Sequence, residues 1–323
     1  MNYINQLSNI ESQSVLVIGD VMVDSYIWGA VDRISPEAPV PVVNVTETEN
    51  RLGGAANVVK NIAALHLNPI LCTVVGDDEA AIVLFELLEK DTISTKYCIK
   101  SPQRKTTLKT RILSGNHQIL RVDTEHTNAV SPELTNEMSQ IVQKLLASHS
   151  ISAIIIEDYD KGVVTPELIQ NVTKFAKKYS IPVFVDPKKR NFLDFTDVTF
   201  FKPNFKEFTE GIGKTCKKTD LSHLYILSKD FIEKQNIEIL MITLSEHGVF
   251  IANKDEYIHI PSQVRHVADV SGAGDTVIST AVACYLAKFS MKDIARISNI
   301  AAGLACEEPG VVTINREQLF KNI

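Results

Sequence analysis

Little in this chain marks a secreted, membrane-spanning or nucleic-acid-binding protein. Its five cysteines, Cys72, Cys98, Cys216, Cys284 and Cys306, form an odd set with no CxxC pair and no nearby histidine at metal spacing. That pattern argues against a disulfide framework and against zinc. Cys72 and Cys284 lie in apolar stretches and read as small buried hydrophobes. The longest unbroken apolar run, 281–287, falls far short of the roughly 20 residues needed to cross a bilayer. Residues 1–14 are polar and lack the basic-then-apolar order of a signal peptide, so a cytosolic protein is expected. Thirty-three Lys and Arg stand against 39 Asp and Glu, a formal charge of −6. No global basic field therefore attracts nucleic acid or anionic lipid, and neither is expected as a partner. No internal repeat, low-complexity tract or linker interrupts the 323 residues, which suffice for one domain with a substantial core.

Short β-branched apolar runs recur at 15–19, 71–76, 151–157, 182–186, 198–202 and 237–243. Strands apolar on both faces belong in a parallel sheet covered by helices. Ser131-Pro132-Glu133 and Thr165-Pro166-Glu167 each place a capping hydroxyl, a proline at the first helical position and an acid in the first turn. Alternation of strand and helix predicts a doubly wound α/β fold with a mostly parallel sheet between helices. Residues 40–47 and 106–123 break the rhythm, alternating apolar and polar residues with no helix between, and Ser114-Gly115-Asn116 reads as a hairpin turn. These segments are expected to form a small antiparallel β lid that also serves as a dimer surface.

The most specific string is Asp269-Val-Ser-Gly-Ala-Gly-Asp275-Thr276, followed by an apolar helical stretch at 277–288. Small residues at Gly272, Ala273 and Gly274 let backbone N–H groups face outward at a helix N-terminus, where the macrodipole favours anions. Asp275 sits in the first turn of that helix, beside the anion site, where it could accept a proton from an attacking hydroxyl.

Together with Gly53-Gly54-Ala-Ala-Asn57, this string resembles the two signatures of the ribokinase-like, or PfkB, carbohydrate kinases, over a match from about residue 15 to residue 313. The resemblance implies a ribokinase-like fold with a β lid over the sugar. It implies that Asp275 is the base for the sugar hydroxyl and that the amides of Gly272, Ala273 and Gly274 form the anion hole. A narrower likeness rests on Gly19-Asp20-Val-Met-Val-Asp24 and on Arg33-Ile-Ser-Pro-Glu-Ala-Pro-Val-Pro-Val42. It extends through Glu157-Asp158-Tyr159-Asp-Lys161-Gly162 and Asp186-Pro187-Lys188. These resemble bacterial kinases of D-glycero-D-manno-heptose 7-phosphate, which act at C1. Glu157 departs from the small residue more usual there, and Ser271 from the frequent Thr.

Asp20 and Asp24 lie at and beyond the end of the first strand, the edge where open α/β sheets bind ligands, and each carboxylate can accept sugar hydroxyls. Gly53 and Gly54 permit close backbone approach, and Asn57 offers both donor and acceptor. A phosphorylated substrate needs cations. Arg33, Lys109, Arg111, Arg121, Lys161, Lys188 and Lys189 are the candidates, with Arg121, Lys161 and Lys188 ranked first and Asp158 beside them in the turn. On the ATP side, Asn204-Phe-Lys-Glu207 resembles the family's N-x-x-E element, which organises Mg²⁺ and phosphate. Glu207 would then act directly or through water, although an N-cap at Asn204 with a capping-box Glu207 predicts the same spacing. Thr243 and Gly248 match a loop beside the nucleotide, and Asn299 and Ala302 match positions flanking adenine. Ser271 is placed with the nucleotide contacts. Asp269, Ser271, Gly310 and Thr313 match loops that hold a monovalent cation such as K⁺ in some relatives, so K⁺ dependence stays open.

The expected activity is ATP- and Mg²⁺-dependent phosphorylation of a sugar phosphate. The alternatives are a kinase for another sugar, or a non-catalytic nucleotide- or sugar-binding regulator, against which the GAGD string argues. No HxGH string of a nucleotidyltransferase occurs, so later nucleotide activation of the product is expected from a separate nucleotidyltransferase.

Overall fold

The computed structural model describes residues 3–115, 117–148, 150–263 and 267–323, and every element named below lies within them. The chain opens with α1 (Tyr3–Ser8) and β1 (Ser14–Gly19), then runs through two long strands, β2 (Val21–Ile34) and β3 (Pro41–Gly54), into α2 (Ala55–Ala64) and β4 (Asn68–Gly76). Next come α3 (Glu79–Lys90), β5 (Tyr97–Ser101), β6 (Thr107–Ser114), β7 (His117–Thr124), α4 (Pro132–Ala147), β8 (Ile151–Glu157), α5 (Pro166–Tyr179) and β9 (Val183–Asp186). The remainder holds β10 (Phe200–Phe201), α6 (Phe205–Gly211), α7 (Leu221–Gln235), β11 (Ile239–Thr243), β12 (Val249–Ala252), β13 (Tyr257–Ile260), α8 (Ala273–Leu286), α9 (Met291–Cys306) and α10 (Arg316–Asn322).

Among these residues a nine-stranded sheet runs in the order β13-β12-β11-β10-β9-β8-β1-β4-β5. Neighbours from β11 to β5 are parallel, and β12 and β13 add an antiparallel edge. Strand β1 is apolar on both faces because two cores meet across it. Val15 and Val17 pack with α2, α3, α8 and α9, while Leu16 and Ile18 pack with α4, α5 and α7. The α/β expectation therefore holds. Both proline-marked helices start where expected: Ser131 Oγ accepts from Leu134 N–H and Thr165 Oγ1 from Leu168 N–H.

A second sheet, ordered β3-β2-β6-β7, stands apart from the first. It consists of two antiparallel pairs, β2–β3 and β6–β7, joined through a parallel β2–β6 contact. The segments 40–47 and 106–123 fall largely in this sheet, but one of its two inner strands, β2, is not expected from the sequence, because the Asp24-Ser25 and Asp32-Arg33 pairs break its apolar pattern. Asn116 of the expected hairpin turn lies outside the described residues. Chain connections leave β1 toward β4 and β5 on one side and resume from β8 toward β11 on the other. The crevice beyond the carboxyl ends of β1 and β8 is thus the topological switch point of the sheet, the place where such sheets bind ligands. Cys72 and Cys284 are buried, and burial pushes the Cys72 thiol up to about 12. No helix of the described residues is long and apolar enough to cross a membrane.

Candidate active site

The start of α8 is built for close approach. Gly272 caps it at φ +78, and a Cβ there would lie 2.9 Å from Asn57 Nδ2. Ala273 N–H donates to Val270 O at 3.3 Å, so this amide, expected in the anion hole, is already engaged in the turn. The N–H groups of Gly274 and Asp275 have no intrahelical acceptor and sit at the positive end of the helix.

Asp275 is 1% exposed. Its Oδ2 accepts from Asn57 Nδ2 at 2.7 Å and its Oδ1 from Tyr159 Oη–H at 2.8 Å. Burial pushes its carboxyl up to about 6; the two donors oppose the shift, and the neighbouring Asp186 charge adds to it. A base near 6 is ionised at neutral pH yet basic enough to take a proton.

Beneath Asp275 lies a charged cluster. Lys202 Nζ pairs with Asp186 Oδ2 at 2.7 Å, and Lys188 Nζ reaches Glu207 Oε1 at 2.7 Å and Asp186 Oδ1 at 3.7 Å. Burial would raise the Asp186 carboxyl, but the two lysines hold it below the usual range. Glu157 is fully buried at the end of β8, and neither of its carboxylate oxygens has a hydrogen-bond partner among the described residues, nor does Asp186 Oδ1. Burial, then the charges of Asp186 and Asp275, drive the Glu157 carboxyl far upward. Glu157, Asp186 and Asp275 each bring a carboxylate oxygen within 4.8 Å of the others. A divalent cation with hard oxygen ligands fits this donor set. Glu207, expected at the metal, has both oxygens in use: Oε2 accepts from Asn204 N–H at 2.8 Å in a complete capping box with Asn204, and Oε1 accepts from Lys188. The unpartnered oxygens thus belong to residues not assigned to metal from the sequence, although Glu157 stood out there as an acid in place of a small residue.

On the lid side, Asp24 lies within β2, buried, with Oδ1 2.5 Å from Arg111 Nη1. A Cβ on Gly53 would come within 2.1 Å of Asp24 Oδ2, so this glycine makes room for the acid. Asp20, expected to bind sugar hydroxyls, instead accepts the N–H groups of Tyr159, Lys161 and Val163 at 2.9–3.1 Å. Its carboxylate builds the turn after β8. Asp158 is also buried within that turn, bonded to Asn191 Nδ2 and Asp160 N–H. Burial, reinforced by the charge of Asp20, pushes it up to about 7. Asn57 is drawn inward, donating to Asp275 and accepting from Asn61.

The cations separate. Lys161 Nζ pairs with Glu125 at 2.9 Å, and Lys188 belongs to the carboxylate cluster. Arg121 is 52% exposed on β7 and pairs with Asp123. Arg33 lies nine positions beyond Asp24 on β2, roughly 30 Å along the strand, so it does not join Asp24 within one chain. Lys109, a candidate cation ranked below Arg121, Lys161 and Lys188 from the sequence, lies over the Tyr159 ring at 5.8 Å and has no carboxylate at ion-pair distance among the described residues. Burial, then the Lys161 charge, lowers its ammonium pKa.

The expected nucleotide residues gather at the other side of the same sheet edge. Asn204 bridges Thr243. Gly248, at φ +86, abuts residues 260–262, and Asn299 Nδ2 donates to Pro261 O at 2.9 Å. Ala302 is half-buried on α9. Asp269 ties two loops together, accepting from Ser271 N–H and Gly310 N–H at 2.9 and 3.0 Å. Neither Asp269 nor Thr313 has a buried side-chain oxygen without a partner.

The two-sheet α/β fold thus places an aspartate at a glycine-rich helix start above buried carboxylates at its switch point. Residues 12–318 match the family described as pfkB family carbohydrate kinase. The chain belongs to that family and is a sugar kinase. It is 38% identical over 312 residues to the Bifunctional protein HldE of Geobacter sulfurreducens, and 37% identical over 317 residues to that of Pelobacter propionicus. These alignments cover 96% and 98% of this chain, but 63% and 64% of the relatives. The fold is shared with Escherichia coli phosphofructokinase-2 in complex with substrates and products, at TM-score 0.79, 15% identity and coverage of 96% and 99%. It is shared also with Arabidopsis thaliana ribokinase complexed with ribose and ATP, at TM-score 0.74, 16% identity and coverage of 96% and 98%.

Proposed function

We propose that this kinase uses ATP to phosphorylate the anomeric C1 hydroxyl of D-glycero-D-manno-heptose 7-phosphate, giving the 1,7-bisphosphate. The observation that carries the reading is the buried Asp275 carboxylate at the start of α8, facing a lid whose strand β6 presents Lys109 and Arg111 beside Asp24. Asp275 accepts the O1 proton as O1 attacks the γ-phosphorus. The O1–P bond forms, the bond to the β,γ-bridging oxygen breaks, and ADP leaves with that electron pair. The amides of Gly274 and Asp275 face the charge on the transferring group, so catalysis is positioning plus electrostatic stabilisation. Magnesium, when bound, neutralises phosphate charge; Glu157 and Asp186 are the residues that would hold it. Asp24 orients the sugar, and Asn204, Thr243, Gly248, Ser271, Asn299 and Ala302 line the nucleotide side. The product is an anomeric phosphate, the chemistry a nucleotidyltransferase consumes.

The same reading includes a homodimer through the lid. Leu120 and Val122 on β7 are 53% and 47% exposed, and an edge sheet with apolar residues outward is covered by pairing with a second copy.

A phosphoryl-transfer assay over a panel of sugars and sugar phosphates tests the substrate. Heptose 7-phosphate should exceed unphosphorylated heptose by about 10²-fold in kcat/KM, the worth of one or two charge-assisted contacts. Equal values, or strong activity on ribose, would leave only a sugar kinase of other specificity.

A further inference from the structure

Tyr159 lies in the turn after β8, and its phenol is the second hydrogen-bond donor to Asp275. Its own position is set by several independent contacts. Its N–H donates to Asp20 Oδ2 at 2.9 Å, and two further N–H groups of the same turn, those of Lys161 and Val163, bind the same carboxylate. The turn also requires Asp160 at φ 56 and Gly162 at φ 89. A Cβ added to Gly162 would lie 2.0 Å from Asn128 O. On the other flank, a Cβ on Gly54 would stand 3.5 Å from the Tyr159 ring. Two ammonium groups, Lys109 and Lys188, lie over that ring at 5.8 and 5.0 Å.

An aspartate carboxylate rotates freely about its terminal torsion, which is broad and roughly two-fold. A donor on one oxygen leaves that rotation partly open. Donors on both oxygens, from separate elements, close it. Asn57 on α2 binds Oδ2 and Tyr159 binds Oδ1, so the carboxylate plane is fixed before substrate arrives. Each oxygen keeps a further lone pair for the incoming hydroxyl. The phenol O–H points at Asp275 Oδ1 at 2.8 Å, so Tyr159 is the donor in this bond and the carboxylate the acceptor.

Accepting Asp275 as the base, we infer that Tyr159 is a positioning residue for the phosphoryl transfer. It orients the carboxylate that takes the sugar proton, and Asp20 acts behind it by building the turn. Asp20 is thereby accounted for without any contact to sugar.

The test is a double-mutant cycle with Tyr159→Phe and Asp275→Asn, read by kcat, by KM for each substrate and by calorimetric binding of nucleotide and sugar phosphate. Tyr159→Phe removes one oxygen and keeps every ring contact, so its unfolding temperature should stay near that of the wild type. Its kcat should fall at least tenfold while both KM values and both binding constants stay within about threefold, as expected for a lost hydrogen bond to a charged group. In the Asp275→Asn background the same substitution should change kcat less than twofold. Three results would overturn the inference. One is a Tyr159→Phe enzyme with wild-type kcat beside an inactive Asp275→Asn, which leaves the base assignment standing. Another is a fall in kcat that persists in full in the Asp275→Asn background, or that comes with equal losses in binding. The third is an active Asp275→Asn, which removes the base assignment itself.

Discussion

Lys202 and Asp186 form an ion pair of 2.7 Å with both side chains 3% exposed, directly beneath the backbone of Gly274. A Cβ on that glycine would contact both groups at 3.4 Å. Two helix-start amides, a base and a buried pair of opposite charges are thus stacked within one small volume, and each can be tested separately.

Removing the cation of the pair leaves the ionised Asp186 buried without its main counter-charge. Lys202→Met should destabilise the protein by about 3–5 kcal/mol, the cost of an uncompensated buried charge. Urea unfolding followed by circular dichroism measures this directly, and a midpoint unchanged from wild type would show that the pair is not needed.

Asp275→Asn should lower kcat by at least about 10²-fold with nucleotide binding retained. In the wild type, kcat/KM should fall as pH drops through about 6, where the raised carboxyl becomes protonated. The stability effect has the opposite sign. A folded pKa above the unfolded value of 3.8 contributes stability at low pH that is lost as pH rises through about 6. The asparagine variant escapes that loss. Its melting temperature should exceed wild type at pH 8, by roughly 2–5 °C, with the gap closing near pH 4.

Substrate choice should follow Lys109. Its ammonium lies 5.8 Å from the Tyr159 ring centre, and among the described residues no carboxylate comes within ion-pair distance, although the charges of Asp24, Asp123 and Glu125 act on it. Lys109→Met should reduce the preference for a terminally phosphorylated sugar by about tenfold or more and leave the slow reaction with free sugar nearly unchanged. Equal losses on both substrates would assign Lys109 to lid folding instead.

Lid pairing should depend on the outward apolar residues of β7. Leu120→Glu should convert a dimer to a monomer in light scattering at micromolar concentration, because a buried carboxylate would face its own copy across the two-fold axis. A wild-type protein that is already monomeric under those conditions would rule out the lid dimer.

Much of this protein was legible in its sequence, because the signals involved are local. Both-sided apolar strands, hydroxyl-proline-acid helix starts, and the GAGD turn each depend on a few consecutive residues whose backbone preferences act within one or two turns. The α/β class, the helix starts at Ser131 and Thr165, and the place of Asp275 in the first turn of a helix follow from those preferences. Strand β2 escaped notice because Asp24, Ser25, Asp32 and Arg33 break its apolar alternation. Only the sheet registry, which sets Asp24 opposite Arg51 and Lys109, brings its carboxylate to Arg111 and over Gly53.

What tertiary structure alone decided is which polar groups meet. Asp20 and Asp24 look alike in sequence, yet one builds a turn while the other lies buried within the lid strand β2, paired with Arg111. Arg33, Arg111 and Arg121 are equal as charges, yet only Arg111 reaches Asp24. Glu207, which reads as a metal carboxylate, is engaged by Asn204 and Lys188, whereas in this cluster the buried oxygens without a hydrogen bond are both of Glu157's and Asp186 Oδ1. Side-chain type determines what a residue can bind, and that is written in the chain. Electrostatic and hydrogen-bond energies fall off over a few ångströms, so the partners themselves are chosen only when folding brings β1, β8, α2 and α8 to one crevice.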